Sequence, residues 1–191
     1  MKREKNVLLT GGAGYVGAHA CKALAKSGYT PVVYDNLSRG HRNAVQWGPL
    51  VEGDITDVAA VTTALRAHEP CAVMHFAAYA YVGESVGEPL PYYLNNVSGT
   101  LALLRAMQGA GVDKIIYSST CAVYGDPGGE VLVENLPKNP INPYGRTKLM
   151  IEQALGDLAS AGKISYVALR YFNAAGADIS GEIGEDHEPE T

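Results

Sequence analysis

The chain has 191 residues, 47% of them apolar and 18% charged, with 15 Lys and Arg against 20 Asp and Glu, for a formal net charge of −5. That balance excludes a disordered or polyelectrolyte chain and a general nucleic-acid binder, so no nucleic-acid partner is expected. The length suits one domain and a surplus, enough to bury a core without disulfides or structural metal.

The basic start, Met1-Lys2-Arg3-Glu4-Lys5, leads into an apolar stretch too short for a signal peptide, and no run reaches membrane-span length. No membrane partner is expected. Residues 6–10 read as a buried strand ending at Gly11-Gly12. Val16, Ala20, Ala23 and Leu24 recur at helical spacing over 15–27, and Gly28 is a plausible stop. Residues 30–34 read as a second strand, followed by the polar loop Asp35-Asn36-Leu37-Ser38-Arg39-Gly40. A short strand is predicted over 50–52, then a helix over 57–68 with Val58, Val61 and Leu65 on one face. Residues 71–77 read as a strand and 91–110 as a long helix carrying Leu94, Val97, Leu101 and Leu104. A strand over 114–118, a helix over 143–161 and a strand over 164–171 complete the pattern.

This alternation predicts an α/β fold, a doubly wound parallel sheet of Rossmann type, with helices on both faces and strands buried on both. Gly11, Asp35, Asp54, Ala77 and Ser119 fall at the strand ends, the edge where such sheets bind ligands. After Tyr171 the pattern fails in a glycine-containing tail with the acidic stretch Glu185-Asp186-His187-Glu188. Residues 1–171 are therefore expected to form the nucleotide-binding domain, and 172–191 only the start of a substrate-binding lobe, in a chain truncated at its C-terminus.

Thr10-Gly11-Gly12-Ala13-Gly14-Tyr15-Val16-Gly17 follows a strand and opens a helix. Glycines there permit the tight turn and let a diphosphate approach the helix N-terminus. Asp35 ends the next strand, where a carboxylate accepts hydrogen bonds from an adenosine ribose and repels a 2′-phosphate. This favours NAD over NADP, a preference that Arg39 and Arg42 nearby weaken.

A second constellation is Asn142-Pro143-Tyr144-Gly145-Arg146-Thr147-Lys148. Asn142 suits the N-cap and Pro143 the first helical position. Tyr144 and Lys148 then share one face with Ile151 and Leu155, pointing inward. Lys148 is expected to lower the tyrosine pKa, so that Tyr144 can take a proton from a substrate hydroxyl while hydride leaves the same carbon. Ser118-Ser119-Thr120 ends the preceding strand. A hydroxyl there can bond the substrate oxygen; Thr120 is the preferred candidate and Ser119 the second. Leu149 and Met150 lie on the other face of this helix, positioned for a neighbouring helix or a subunit partner. Cys21, Cys71 and Cys121 cannot all pair and lack metal spacing, which points to a reduced, cytoplasmic protein. His75 ends a buried strand, and His19, His41, His68 and His187 show no ligand spacing, so no metal site is expected.

Together these segments resemble the extended short-chain dehydrogenase/reductase family, with further matches at Gly53-Asp54-Ile55, His75-Phe76-Ala77-Ala78, Val82-Gly83-Glu84-Ser85-Val86, Tyr92 to Val97, Ser118 to Gly125 and Arg170-Tyr171-Phe172-Asn173. The resemblance covers nearly the whole chain. It implies an NAD-dependent isomerase that epimerises a UDP-hexose (UDP-glucose/UDP-galactose) at C4 through a 4-keto intermediate. Gly11, Gly14, Tyr15, Val16 and Gly17 would lie at the diphosphate, and Asp35, Asn36, Leu37, Ser38, Arg39 and Gly40 at the adenosine ribose. Asp54 and Ile55 would flank the adenine. Phe76, Ala77, Ala78, Asn95 and Lys148 would line the cofactor channel. Phe172 would touch the nicotinamide side and Asn173 the nucleotide-sugar phosphate. Thr120, Tyr144 and Lys148 would be the catalytic set, with Thr120 and Tyr144 also touching substrate. Two positions depart from the family: Thr120 stands where serine is frequent, and Ala80 where some members carry a lysine. A homodimer pairing the 91–110 and Tyr144 helices across a two-fold axis is also implied, as is an incomplete form that binds NAD without full activity. Other family activities compete: epimerisation of UDP-xylose/UDP-arabinose, dehydration or decarboxylation, and a non-catalytic NAD-binding sensor. Dehydration is disfavoured because Cys121 and Ala122 supply no acid and base after Thr120, and the sensor because the Tyr–Lys pair is kept.

Overall fold

The computed structural model describes residues 5–129 and 131–187. Met1 to Glu4 of the basic start, and Glu188 to Thr191 of the acidic tail, lie outside the described residues. The first strand, β1 (Asn6–Thr10), sits inside a six-stranded sheet between β2 (Thr30–Asp35) and β4 (Ala72–His75). β3 (Leu50–Glu52) extends the sheet beyond β2; β5 (Lys114–Ser118) and β6 (Ser165–Leu169) extend it beyond β4. All neighbours are parallel, in the order β3-β2-β1-β4-β5-β6. The fold is the expected doubly wound Rossmann sheet. Its order reverses between β1 and β4, where a crevice opens at the C-terminal strand ends.

The helices form where the sequence provides caps. In α2 (Val58–His68) the Asp57 carboxylate accepts the Ala59 and Ala60 N–H groups, both at 3.0 Å. In α6 (Pro143–Ser160) the Asn142 side chain accepts the Gly145 N–H at 2.8 Å, with Pro143 in the first turn. Helix α1 (Tyr15–Lys26) has no such cap: Gly14 at its start offers no side chain.

The core is unequally divided between the two sheet faces. Leu8, Val32, Tyr34, Val73, Ile115 and Tyr117 pack against α2, α5 (Thr100–Ala110) and α6 through Leu65, Leu103, Met107, Ile151 and Leu155. On the other face Val7, Leu9 and Val33 meet Ala13 and Cys21. α1 lies against β1 and β2, and the expectation of strands buried on both faces fails at β6. There Tyr166, Val167 and Leu169 are 37%, 53% and 41% exposed.

The long helix expected over 91–110 is also different. A short α3 (Val82–Gly87), not anticipated, precedes α4 (Pro89–Tyr92), and a π-helical stretch (Tyr93–Gly99) separates α4 from α5. The wider turn shifts the helix face. Asn96, Gly99 and Thr100 turn inward, while Leu94 and Leu101, apolar residues of the expected helix, are 56% and 47% exposed. Cys71, the first residue of the strand expected over 71–77, lies outside β4 and is exposed as well.

Candidate active site

The glycine loop is shaped by close backbone approach. Gly11 adopts φ +74°, and a Cβ on it would lie 2.4 Å from the Ala77 nitrogen; one on Gly17 would lie 2.2 Å from the Gly11 carbonyl oxygen. Neither position admits another residue without a backbone shift. β4 ends there because the Phe76 and Ala77 N–H groups both donate to the Thr10 carbonyl. Below this turn His75 is fully buried between the hydroxyls of Thr10 (2.6 Å) and Thr100 (2.8 Å). Burial pulls its pKa down to about 3, so it is a neutral pin between β1, β4 and α5.

The Asp35 carboxylate accepts the Ala13 N–H at 3.0 Å and the Leu37 N–H at 2.9 Å, tying the strand end to the glycine loop. Arg39 pairs with Glu84, and Arg42 with Glu52.

One cavity of about 760 Å³ runs from this loop to α6. It brings together Gly11, Gly14, Tyr15, Val16, Gly17, Asp35, Asn36, Ser38, Arg39, Gly40, Ile55, Phe76, Ala77, Ala78, Asn95, Thr120, Tyr144, Lys148, Phe172 and Asn173. Leu37 and Asp54 are not in its wall. Leu37 packs into the core beside α1, with φ +57°. The Asp54 carboxylate is occupied by Asn36 Nδ2 at 2.8 Å and by Thr56, while its neighbours Gly53 and Ile55 face the cavity.

At the far end Lys148 is 2% exposed, and its Nζ donates to the Ser118 carbonyl at 2.7 Å. Nζ lies 5.7 Å from the centroid of the Tyr144 ring. Thr120 Oγ1 accepts the Ala122 N–H at 3.1 Å and lies near enough to the Tyr144 phenol to pull its pKa down, whereas Ser119 Oγ donates to Glu152 at 2.5 Å. Of the two hydroxyls weighed from the sequence, Thr120 therefore faces the tyrosine. The expected lowering of the tyrosine pKa is not found. Burial pushes Tyr144 up to about 12, against a downward pull from Thr120, and burial draws Lys148 down to about 7. Removal from water disfavours both charged forms, and an ammonium that has lost part of its charge offers the phenol less.

Several contributors carried no recognised sequence signal. Asn96, 1% exposed, holds both backbone groups of Tyr79, with Oδ1 accepting its N–H at 2.8 Å and Nδ2 donating to its carbonyl at 3.0 Å. Glu152 binds Arg170 through both carboxylate oxygens, at 2.8 and 2.7 Å, and so ties α6 to the segment leading to Phe172. Glu152 sits one turn past Lys148 on the same inward stripe, a periodicity that could have revealed it. Residues 176–187 fold back over α1. There the Lys22 ammonium donates to Asp178, Ser180 and Glu182, each at 2.6 Å, and the Tyr15 hydroxyl to the Gly176 carbonyl. Among the described residues no three His, Cys, Asp or Glu side chains cluster as metal ligands, and no helix is long and apolar enough to cross a membrane.

The profile of the NAD dependent epimerase/dehydratase family matches residues 7–188. The chain belongs to this family. It is 56% identical over 187 residues to the UDP-glucose 4-epimerase of Rhizobium leguminosarum bv. trifolii, covering 98% of this chain and 57% of that protein. It is 45% identical over 195 residues to the probable UDP-arabinose 4-epimerase 3 of Arabidopsis thaliana, covering 97% of this chain and 47% of that one. The crystal structure of UDP-glucose 4-epimerase from Brucella ovis in complex with NAD superposes with a TM-score of 0.96 at 57% identity, covering 98% of this chain and 57% of that one. The chain thus spans about half the length of these relatives.

Proposed function

We propose that this chain is the cofactor-binding and catalytic part of an NAD-dependent UDP-hexose 4-epimerase. The observation that carries the proposal is one cavity shared by an uncapped helix N-terminus behind the glycine loop and the Thr120–Tyr144–Lys148 group. The residues suit a dinucleotide. Gly11 and Gly17 fix the turn by close backbone approach, Gly14 leaves the N–H groups opening α1 uncovered for a diphosphate, and Asp35, Asn36, Ser38, Arg39 and Gly40 surround the place of an adenosine ribose. Ile55 suits the adenine side, Phe76, Ala77, Ala78 and Asn95 the channel, and Phe172 the nicotinamide side. NAD would supply the hydride acceptor and donor for the sugar C4.

The chain's own residues would handle the proton. Thr120 holds the O4 oxygen by its hydroxyl, and Tyr144 takes the O4 proton and later returns it. Lys148 Nζ, 5.7 Å from the centroid of the Tyr144 ring, would favour the phenolate only while protonated, a form its burial makes the minority above about pH 7. Asn173, exposed at the cavity rim, is placed for the nucleotide diphosphate. Residues 1–171 form the nucleotide-binding domain in this scheme, and 172 onward begins the substrate lobe. UDP-arabinose or UDP-xylose is the second reading, favoured by the Arabidopsis relative.

Leu90, Leu94, Leu101 and Met150 are 64%, 56%, 47% and 47% exposed on α4 to α6, which supports a homodimer through these helices in the complete protein. Three free cysteines, one of them at the surface, suit the cytoplasm.

In the complete protein, Tyr144→Phe is expected to lower UDP-galactose to UDP-glucose conversion by about 10²–10⁴-fold, the usual worth of a positioned acid–base group. Unchanged turnover would reject the catalytic assignment. Denaturing the purified protein should release NAD; no release and no rebinding would reject the cofactor.

A further inference from the structure

Arg39 and Glu84 both line the cavity, from separate elements. Arg39 belongs to the loop after Asp35, at the ribose end, and Glu84 to α3. Arg39 Nη2 donates to both Glu84 carboxylate oxygens, at 2.8 and 2.9 Å. Its guanidinium carbon lies 4.5 Å from the ring centroid of Tyr79 and 4.7 Å from that of Tyr81, so two aromatic faces hold it as well. Glu84 is itself steadied: the Tyr92 hydroxyl donates to its Oε2 at 2.6 Å. Burial works against the charge on Arg39, and the hydrogen-bonded Glu84 carboxylate more than offsets it. The loop's second guanidinium, Arg42, is engaged by Glu52.

A guanidinium beside the ribose is what a dinucleotide with a 2′-phosphate needs, because it forms charge-assisted bonds to the phosphate oxygens. Here that group sits in the right loop but is spent on the Glu84 carboxylate of α3. Asp35, engaged by backbone N–H groups instead of by a cation, keeps its repulsion for a second anion. We infer that Glu84 is a specificity-determining residue for the cofactor: by holding Arg39 against Tyr79 and Tyr81, it withholds the guanidinium from a 2′-phosphate. The inference rests on the reading of the cavity as a dinucleotide site.

Glu84 has a 41% exposed side chain, so its replacement leaves the core intact. The test measures NAD and NADP affinity by calorimetry, after any copurified dinucleotide is stripped, for wild type, Glu84→Gln and Glu84→Gln with Arg39→Ala. Wild type should prefer NAD strongly. Glu84→Gln should narrow that preference at least tenfold by gaining NADP affinity, and adding Arg39→Ala should abolish the gain. An unchanged preference in Glu84→Gln, or an equal narrowing in the double variant, would overturn the role of Glu84 while leaving the dinucleotide site standing. Binding of neither dinucleotide by the wild type would overturn both.

Discussion

Lys148 makes the sharpest prediction, because its burial leaves a thermodynamic signature apart from any activity. The ammonium is 2% exposed and its hydrogen bond goes to the Ser118 carbonyl, while burial brings its pKa from 10.5 to about 7. An unfolded lysine keeps its proton up to the higher value, so between the two the unfolded chain binds more protons than the folded one. Stability must therefore rise with pH across that window. The slope is half-developed at pH 7 and approaches about 1.4 kcal/mol per pH unit above pH 8, for a gain of roughly 2 kcal/mol between pH 7 and pH 9. The window closes near pH 9, where Cys21 and then Tyr144, both held near 12 by burial, begin to act in the opposite direction. His75, drawn down to about 3, acts only on the acid side. Urea unfolding at pH 7, 8 and 9 in dinucleotide-free protein measures the effect, and Lys148→Met isolates it. The wild type should gain about 2 kcal/mol more than the variant over this range. Parallel pH dependence in the two proteins would mean that the ammonium remains charged, and the account of the site would be wrong.

Two other substitutions probe the supports of the site. Arg170→Met strands the Glu152 carboxylate, 6% exposed, with only Ser119 and should cost roughly 3 kcal/mol, a fall in Tm on the order of 10 °C. Replacing Glu152 by Leu in the same protein should recover much of this; a loss below about 1 kcal/mol in the single variant would contradict the ion pair's role. Lys22→Met removes the ammonium shared by Asp178, Ser180 and Glu182. Limited proteolysis should then cut within residues 178–187 faster than in the wild type, and equal cleavage rates would show that other contacts hold this segment.

Much of the architecture was legible in the chain because it is local. Asn142 announces its helix through a cap that reaches three residues on, and that cap forms; Asp57, expected as the first residue of its helix, is instead its cap. Apolar runs and glycine spacing gave the parallel sheet, the loop at Gly11 and the inward face of Tyr144 and Lys148. The π-helical stretch did not show, since its residues read as ordinary helix and only packing against Tyr79 and Thr147 shows why Asn96 turns inward. Nor did the exposed face of β6, because a strand's sequence does not say whether a helix covers it.

The sequence by itself determined the fold class, the glycine loop and the helix that presents Tyr144 and Lys148. Tertiary structure alone decided that Ser119 turns to Glu152 and leaves Thr120 to act on Tyr144, and that Glu152 reaches Arg170. It also decided that Arg39 is spent on Glu84, 45 residues away in the chain. These are matters of which charge or hydroxyl finds which partner. Partners distant in sequence are brought together only when the sheet order sets two loops side by side. The pKa values of Tyr144 and Lys148 belong with them, for burial is a property of the assembled protein and not of any residue in the chain.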